Sequence, residues 1–169
     1  MPARPPFIVS ASDIAERPAR YTDDQGAEEL APARPIGRVA GLLQIGVHLV
    51  RVPPGRRTTY PHAESAEEEF AFVLEGEIDA WIDGDLHRMK VGDFAAFPAG
   101  TGICHTFLNN GDREALLLIG GEADKANGRV YYPLNPERRD QMPWSRWWGD
   151  APARHLGPHD GKPYPRKLD

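Results

Sequence analysis

From residue 37 onward, short apolar runs alternate with turn residues, the rhythm of strands rather than helices. The stretch VAGLLQIGVHLVRV predicts two strands broken near Gly46. Glu69 to Leu74 and Glu77 to Ile82 predict two more, joined at Gly76. Asp83-Gly84 carries a strong hairpin signal, because glycine tolerates the positive φ of tight primed turns. Val91-Gly92-Asp93 turns into FAAF, and Pro98-Ala99-Gly100 turns again before a strand from His105 to Asn109. Asn110-Gly111-Asp112 then leads into ALLLIG. Within the strand at Glu69, alternation puts Glu69, Ala71 and Val73 on one face, with Phe70, Phe72 and Leu74 on the other. Strands of this length at regular spacing predict an all-β sandwich or barrel.

The flanks read differently. Residues 1–36 are rich in proline, alanine and charge, and predict an N-terminal arm with one apolar cluster at Phe7, Ile8 and Val9. Asp13 and Glu16 have capping-box spacing for a short helix. Residues 37–122 hold the strands, and 123–169 form an irregular C-terminal tail packing on the barrel or on a partner subunit. Trp144, Trp147 and Trp148 have i, i+3, i+4 spacing, so one helical turn would present three indoles to one surface.

Composition narrows the function classes. Seventeen glycines and seventeen prolines favour a turn-rich β-protein. A net charge of −5 argues against a phosphate-tracking surface, so no nucleic-acid partner is expected. One cysteine excludes an intrachain disulfide and fits a reducing compartment. With no long apolar run and no signal-peptide pattern at the start, no membrane association is expected and the compartment is predicted as cytoplasmic.

Four side chains carry the candidate chemistry. His62 and Glu64 are two residues apart, so in an extended segment they share a face. Glu69 is a lone carboxylate on the alanine–valine face of its strand, a costly placement without a cation or donors. His105 opens a later strand. Two imidazoles and two carboxylates suit zinc, iron, manganese or nickel. Glu67 and Glu68 read as turn residues in water, and His48, His87, His155 and His159 as strand surface, hairpin and tail. Cys104 reads as a small buried apolar residue, because a neighbouring strand position points away from His105. Arg56 and Arg57 read as a solvated loop, or as facing an anionic ligand at the barrel mouth; Arg57 and Tyr60 are the candidate substrate contacts.

Two motifs resemble those of the cupin superfamily. Gly55, His62, Glu64, Glu69 and Gly76 follow the first motif, with Glu64 where its second histidine stands and one extra residue before His62. Gly92, Pro98, Gly100, His105 and Asn109 follow the second, with a gap before His105 longer by two. The resemblance covers roughly residues 37–122. It implies a double-stranded β-helix, or jelly-roll barrel, holding a divalent metal on His62, Glu64, Glu69 and His105, and pairing as a homodimer. The combination AEEEFAFVLEGE, FPAGTGICHTFLNN and RVYYP is similar to bacterial single-domain cupins labelled sugar or sugar-phosphate isomerases. By that resemblance the expected function is metal and small-substrate binding with isomerase-like chemistry. Glu64 becomes the catalytic base if it is not bound to the metal. A non-catalytic sensor or storage protein and a metal-dependent dioxygenase are the alternatives.

Overall fold

Two antiparallel sheets face each other across the core of the computed structural model, which describes residues 3–17, 30–123 and 125–165. The strands are β1 (Ala33–Arg34), β2 (Ile45–Val52), β3 (Ala63–Glu64), β4 (Glu69–Glu75), β5 (Glu77–Ile82), β6 (Asp85–Lys90), β7 (Phe94–Phe97), β8 (His105–Leu108), β9 (Ala115–Glu122) and β10 (Val130–Tyr131). The larger sheet has the order β1-β2-β9-β4-β7 and the smaller β6-β5-β8, with β10-β3 as a two-stranded extension. This is the jelly-roll arrangement of a double-stranded β-helix. Among the described residues no helix is long and apolar enough to cross a membrane.

Alternation sets which side chains meet. Val50 and Val52 of β2, Ala71 and Val73 of β4, and Leu117 of β9 face Ile78, Ala80 and Phe107 of the smaller sheet, forming the main core. The opposite face of the smaller sheet carries Trp81, Leu108 and the adjoining Cys104 in a second cluster with Ala63 and Trp148. Cys104 and His105 therefore lie on opposite sides of the sheet. Between β5 and β6, Asp83 (φ 48°) and Gly84 (φ 95°) make the expected tight turn. A Cβ on Gly84 would also stand 2.3 Å from the Gly157 amide nitrogen, so only glycine lets the tail pass.

Three expectations are corrected. VAGLLQIGVHLVRV does not form two strands: Ile36–Val39 is a single helical turn and Ile45–Val52 one unbroken strand. Gly46 stays in the ladder because Gly121 pairs opposite it, within a register that runs from Ile45–Glu122 to Val52–Ala115. Asp13 and Glu16 do not form a capping box. Ala11–Asp13 is one 3-10 turn without a side-chain cap, and Glu16 pairs instead with Arg34 (3.2 Å) and Arg51 (3.3 Å).

The tryptophans do not share a surface either. The helical turn at Trp144–Arg146 ends when Trp147 becomes extended, so Trp147 and Trp148 point apart. Trp148 is buried in the second cluster, and Trp147 sets its ring edge-on to Tyr131 at 6.0 Å. Trp144 remains 70 % exposed beneath the Arg139 guanidinium, 3.6 Å from the ring centroid.

Among the described residues the tail has no helix or strand beyond residue 146, as its proline and glycine content predicts, yet it is firmly docked. Gly157 N–H donates to the Asp83 carbonyl (2.7 Å) and His159 N–H to that of Gly84 (3.1 Å). The Trp81 indole donates to the His159 carbonyl (2.9 Å). The Arg154 guanidinium meets Asp83 at 2.5 Å. In the N-terminal arm, Arg17 exchanges backbone hydrogen bonds with Ala33, while Phe7 and Ile8 stay exposed within this chain. The remainder of the arm, residues 18–29, lies outside the described residues.

Candidate metal centre

His62 and His105 are brought together by backbone pairing. His62 N–H donates to the His105 carbonyl (3.2 Å), and His105 N–H returns a bond to the His62 carbonyl (2.9 Å). Residues directly opposite in such an antiparallel bridge project to the same face. Their rings accordingly lie 4.9 Å apart. The floor comes from the larger sheet, where Glu69 opens β4 between Phe97 of β7 and Gly121 of β9. Phe97 stacks on the His105 ring at 3.5 Å, fixing its plane.

The donor atoms converge. Glu69 Oε2 lies 3.3 Å from Nε2 of His62 and 3.3 Å from Nε2 of His105. All three ligand atoms fall within 4.8 Å of one another. The His62 ring is held by its other nitrogen, since Nδ1–H donates to the Tyr60 carbonyl at 2.9 Å and turns Nε2 toward the centre.

These residues fit a divalent metal ion. Two atoms bound at about 2.1 Å to a tetrahedral ion stand roughly 3.4 Å apart, close to both measured separations. Glu69 Oε2 is shielded from solvent and meets the two imidazole nitrogens at 3.3 Å. The side chain as a whole is 26 % exposed, and that exposure lies on its other atoms. A buried carboxylate oxygen flanked by two imidazole nitrogens has the chemistry of a ligand. Three protein ligands would leave coordination positions of such an ion open.

Charge is distributed unevenly across the cluster. Burial alone would lower His62, but the Glu69 carboxylate overrides it, with Glu64 adding, and its pKa rises to about 9. Burial opposes ionisation of Glu69, yet both imidazoles outweigh it and hold the carboxyl well below the usual range. His105 is lowered, first by burial; Glu69 pulls the other way, and the His62 charge depresses it further.

The other predicted site residues sit elsewhere. Glu64 lies on β3, paired with Val130, and its carboxyl is not among the converging ligand atoms. Burial raises its pKa to about 8; His62 opposes that rise, while Glu69 and Glu67 add to it. Arg57 and Tyr60 are in the wall rather than at an open mouth. Arg57 is buried, donates from Nη1 to the Gly161 carbonyl (2.8 Å) and lies 4.6 Å above the Tyr60 ring. Tyr60 is buried too, with Arg138 4.7 Å from its ring, and it serves the centre through its backbone carbonyl. Asn109 is a latch: its Nδ2 donates to the carbonyls of Val52 (2.7 Å) and Arg113 (2.8 Å).

Two residues at the centre escape a reading of the chain alone. Gly121 stands beside Glu69, and a Cβ there would lie 3.1 Å from Glu69 Cγ and 2.7 Å from the Glu68 carbonyl. His48 faces the interior, because it shares a face with Val50 and Val52. Their only local signal is alternation, and β2 is apolar on both faces, so it could not tell them apart.

A double-stranded β-helix with an inward His–Glu–His cluster defines a β-barrel with a candidate metal centre. The chain belongs to the cupin superfamily: the cupin domain model matches residues 48–120. A sugar phosphate isomerase of that superfamily from Silicibacter pomeroyi is 32 % identical, with a TM-score of 0.69 over 74 % of this chain and 80 % of that one. The polyketide cyclase RemF from Streptomyces resistomycificus is 21 % identical, with a TM-score of 0.58 over 87 % of this chain and 99 % of its own. At that identity the likeness carries the fold alone. Among curated proteins nothing matches.

Proposed function

We propose that this protein holds a divalent cation on His62, Glu69 and His105 and isomerises a small sugar or sugar phosphate beside it. The observation that carries this reading is the convergence of two imidazole nitrogens on one buried carboxylate oxygen, each 3.3 Å from it. The likeness to the Silicibacter isomerase supports the substrate class. Bound there, the cation supplies Lewis-acid polarisation of a substrate carbonyl or hydroxyl oxygen. Glu64 then moves the proton. Its pKa of about 8 lies near neutral pH, where an acid–base group transfers protons most effectively. Taking a proton from the carbon beside the carbonyl and returning it to the former carbonyl carbon, while the hydroxyl proton passes from the one oxygen to the other, interconverts aldose and ketose with nothing else consumed.

Glu64→Gln separates this role from ligation. Exchange of the substrate's α-proton with deuterated solvent, followed by NMR, is expected to fall by about a hundredfold or more while metal content stays at the wild-type level. Undiminished exchange, or loss of metal, would remove Glu64 from the proposed role. Binding without any exchange in the wild type would instead match a sensor or storage protein.

We further propose that the protein pairs as a homodimer through the outer face of its larger sheet. Phe70 packs on Phe94 there at 5.6 Å, and Phe94 is 59 % exposed. Exposed Phe7 and Ile8 on the arm add apolar surface that a second copy would cover. Sedimentation at micromolar concentration is expected to give twice the chain mass; a monomer would contradict it.

A further inference from the structure

Among the inward-facing positions of β2, β4 and β9, every residue is glycine, alanine or aliphatic except two. One is Glu69, already placed in the metal centre. The other is His48.

Register gives its position relative to Glu69. Glu69, Gly121 and Gly46 form one row across the sheet, and Ala71, Ile119 and His48 form the next. The His48 ring leans back along its strand, with Nε2 3.5 Å from where a Cβ of Gly46 would stand. The imidazole therefore reaches into the row of Glu69, across two residues that have no side chains. That floor cannot be filled from Gly121 without displacing Glu69, given the 3.1 Å approach to its Cγ. Between the metal centre and His48 the sheet thus presents backbone alone at Gly121 and Gly46.

His48 makes no hydrogen bond or ion pair with the other described residues and is only partly buried. Burial lowers its pKa, so it is a neutral ring at pH 7, able to donate one hydrogen bond and accept another. A half-buried imidazole with unused donor and acceptor atoms, on the same inner face as Glu69 and one row away, is suited to a ligand's oxygen. No lysine or arginine occupies an inward position of these three strands, so beside His48 they supply no side-chain cation to offset the charge of a phosphate.

We propose that His48 is a substrate-binding residue, holding a hydroxyl or carbonyl oxygen of an uncharged polyhydroxy-carbonyl compound whose other end lies at the His62–Glu69–His105 centre. This rests on the reading of that centre as the place where metal and substrate meet. It narrows the substrate to an unphosphorylated sugar.

The test uses the full chain loaded with Zn²⁺, with metal content measured first. D-glyceraldehyde, D-erythrose, D-ribose and D-glucose are titrated as probes, and D-ribose 5-phosphate as the charged arm. At least one parent sugar is expected to bind and to shift the His48 ring nitrogens in proton–nitrogen NMR spectra. His48→Leu, which preserves apolar bulk, should weaken that sugar about tenfold, and His48→Gln should return it to within about threefold. Both variants should keep full zinc. A merely structural role would not produce rescue by glutamine. Unchanged affinity in His48→Leu would overturn the assignment, as would binding of the phosphate ester alone or of no sugar at all. A wild type that takes up no zinc would sink the metal-centre reading, and this assignment with it. Full zinc with an unaltered sugar affinity in His48→Leu would sink the role of His48 alone.

Discussion

Titrating metal-free protein with Zn²⁺ is expected to show one site in the wild type and none measurable in His105→Ala or His62→Ala. Losing an outer-sphere partner already costs ten- to a hundredfold in affinity, so losing one of three direct ligands should cost more than roughly a hundredfold. Affinity should also depend steeply on pH. His62 carries a raised pKa of about 9 in the metal-free protein, so below that pH each ion must displace a proton from it. Its sign is unambiguous: the proton-bound state is favoured as pH falls, so apparent affinity should drop roughly tenfold per unit between pH 8 and pH 6. Above about pH 9 the dependence should flatten. Calorimetry in buffers of different ionisation enthalpy would count the released proton. Stoichiometric metal in either alanine variant, or affinity that is flat from pH 6 to 8, would contradict the ligand assignment.

The second large effect concerns stability. Trp148→Ala is expected to cost about 3–5 kcal/mol, since it empties a buried indole site against Trp81, Cys104 and Leu108. That is a large part of the roughly 5–15 kcal/mol by which domains are stable. Removing residues 150–169 should be worse. It strips the acceptor from the buried Trp81 indole and the Gly161 carbonyl from the buried Arg57, and it uncovers the outer face of the smaller sheet. The shortened chain is expected to show no cooperative unfolding transition at 37 °C in a urea titration. A truncated protein within about 1 kcal/mol of the full chain would mean the tail only lies on the surface.

Much of the barrel was legible locally. Glu77–Ile82 and FAAF appear at the expected positions, and Asp83-Gly84 makes the expected hairpin turn, with Asp85–Lys90 as its second strand. The inward set Glu69, Ala71 and Val73 also follows from alternation, because a period of two leaves one answer once a single buried side chain is known. The tail was harder. Its composition correctly denies it regular structure, but composition does not reveal that irregular backbone can still be anchored by the carbonyls and amides of a neighbouring turn. The tryptophan spacing misled for a related reason: helical periodicity presumes a helix, and Pro143 with the extended Trp147 allows only one short turn.

Residue pattern alone was sufficient for strand identity, turn chemistry and the candidacy of His62, Glu69 and His105, since each depends on neighbours within a few positions. Which of those side chains meet was a matter of long-range pairing. The His62–His105 bridge spans two distant segments, Glu64 falls outside the converging atoms, and His48 turns inward only because β2 joins β9 in one register rather than the next. A shift of one residue would reverse every face, and no local rule records which register closes the barrel.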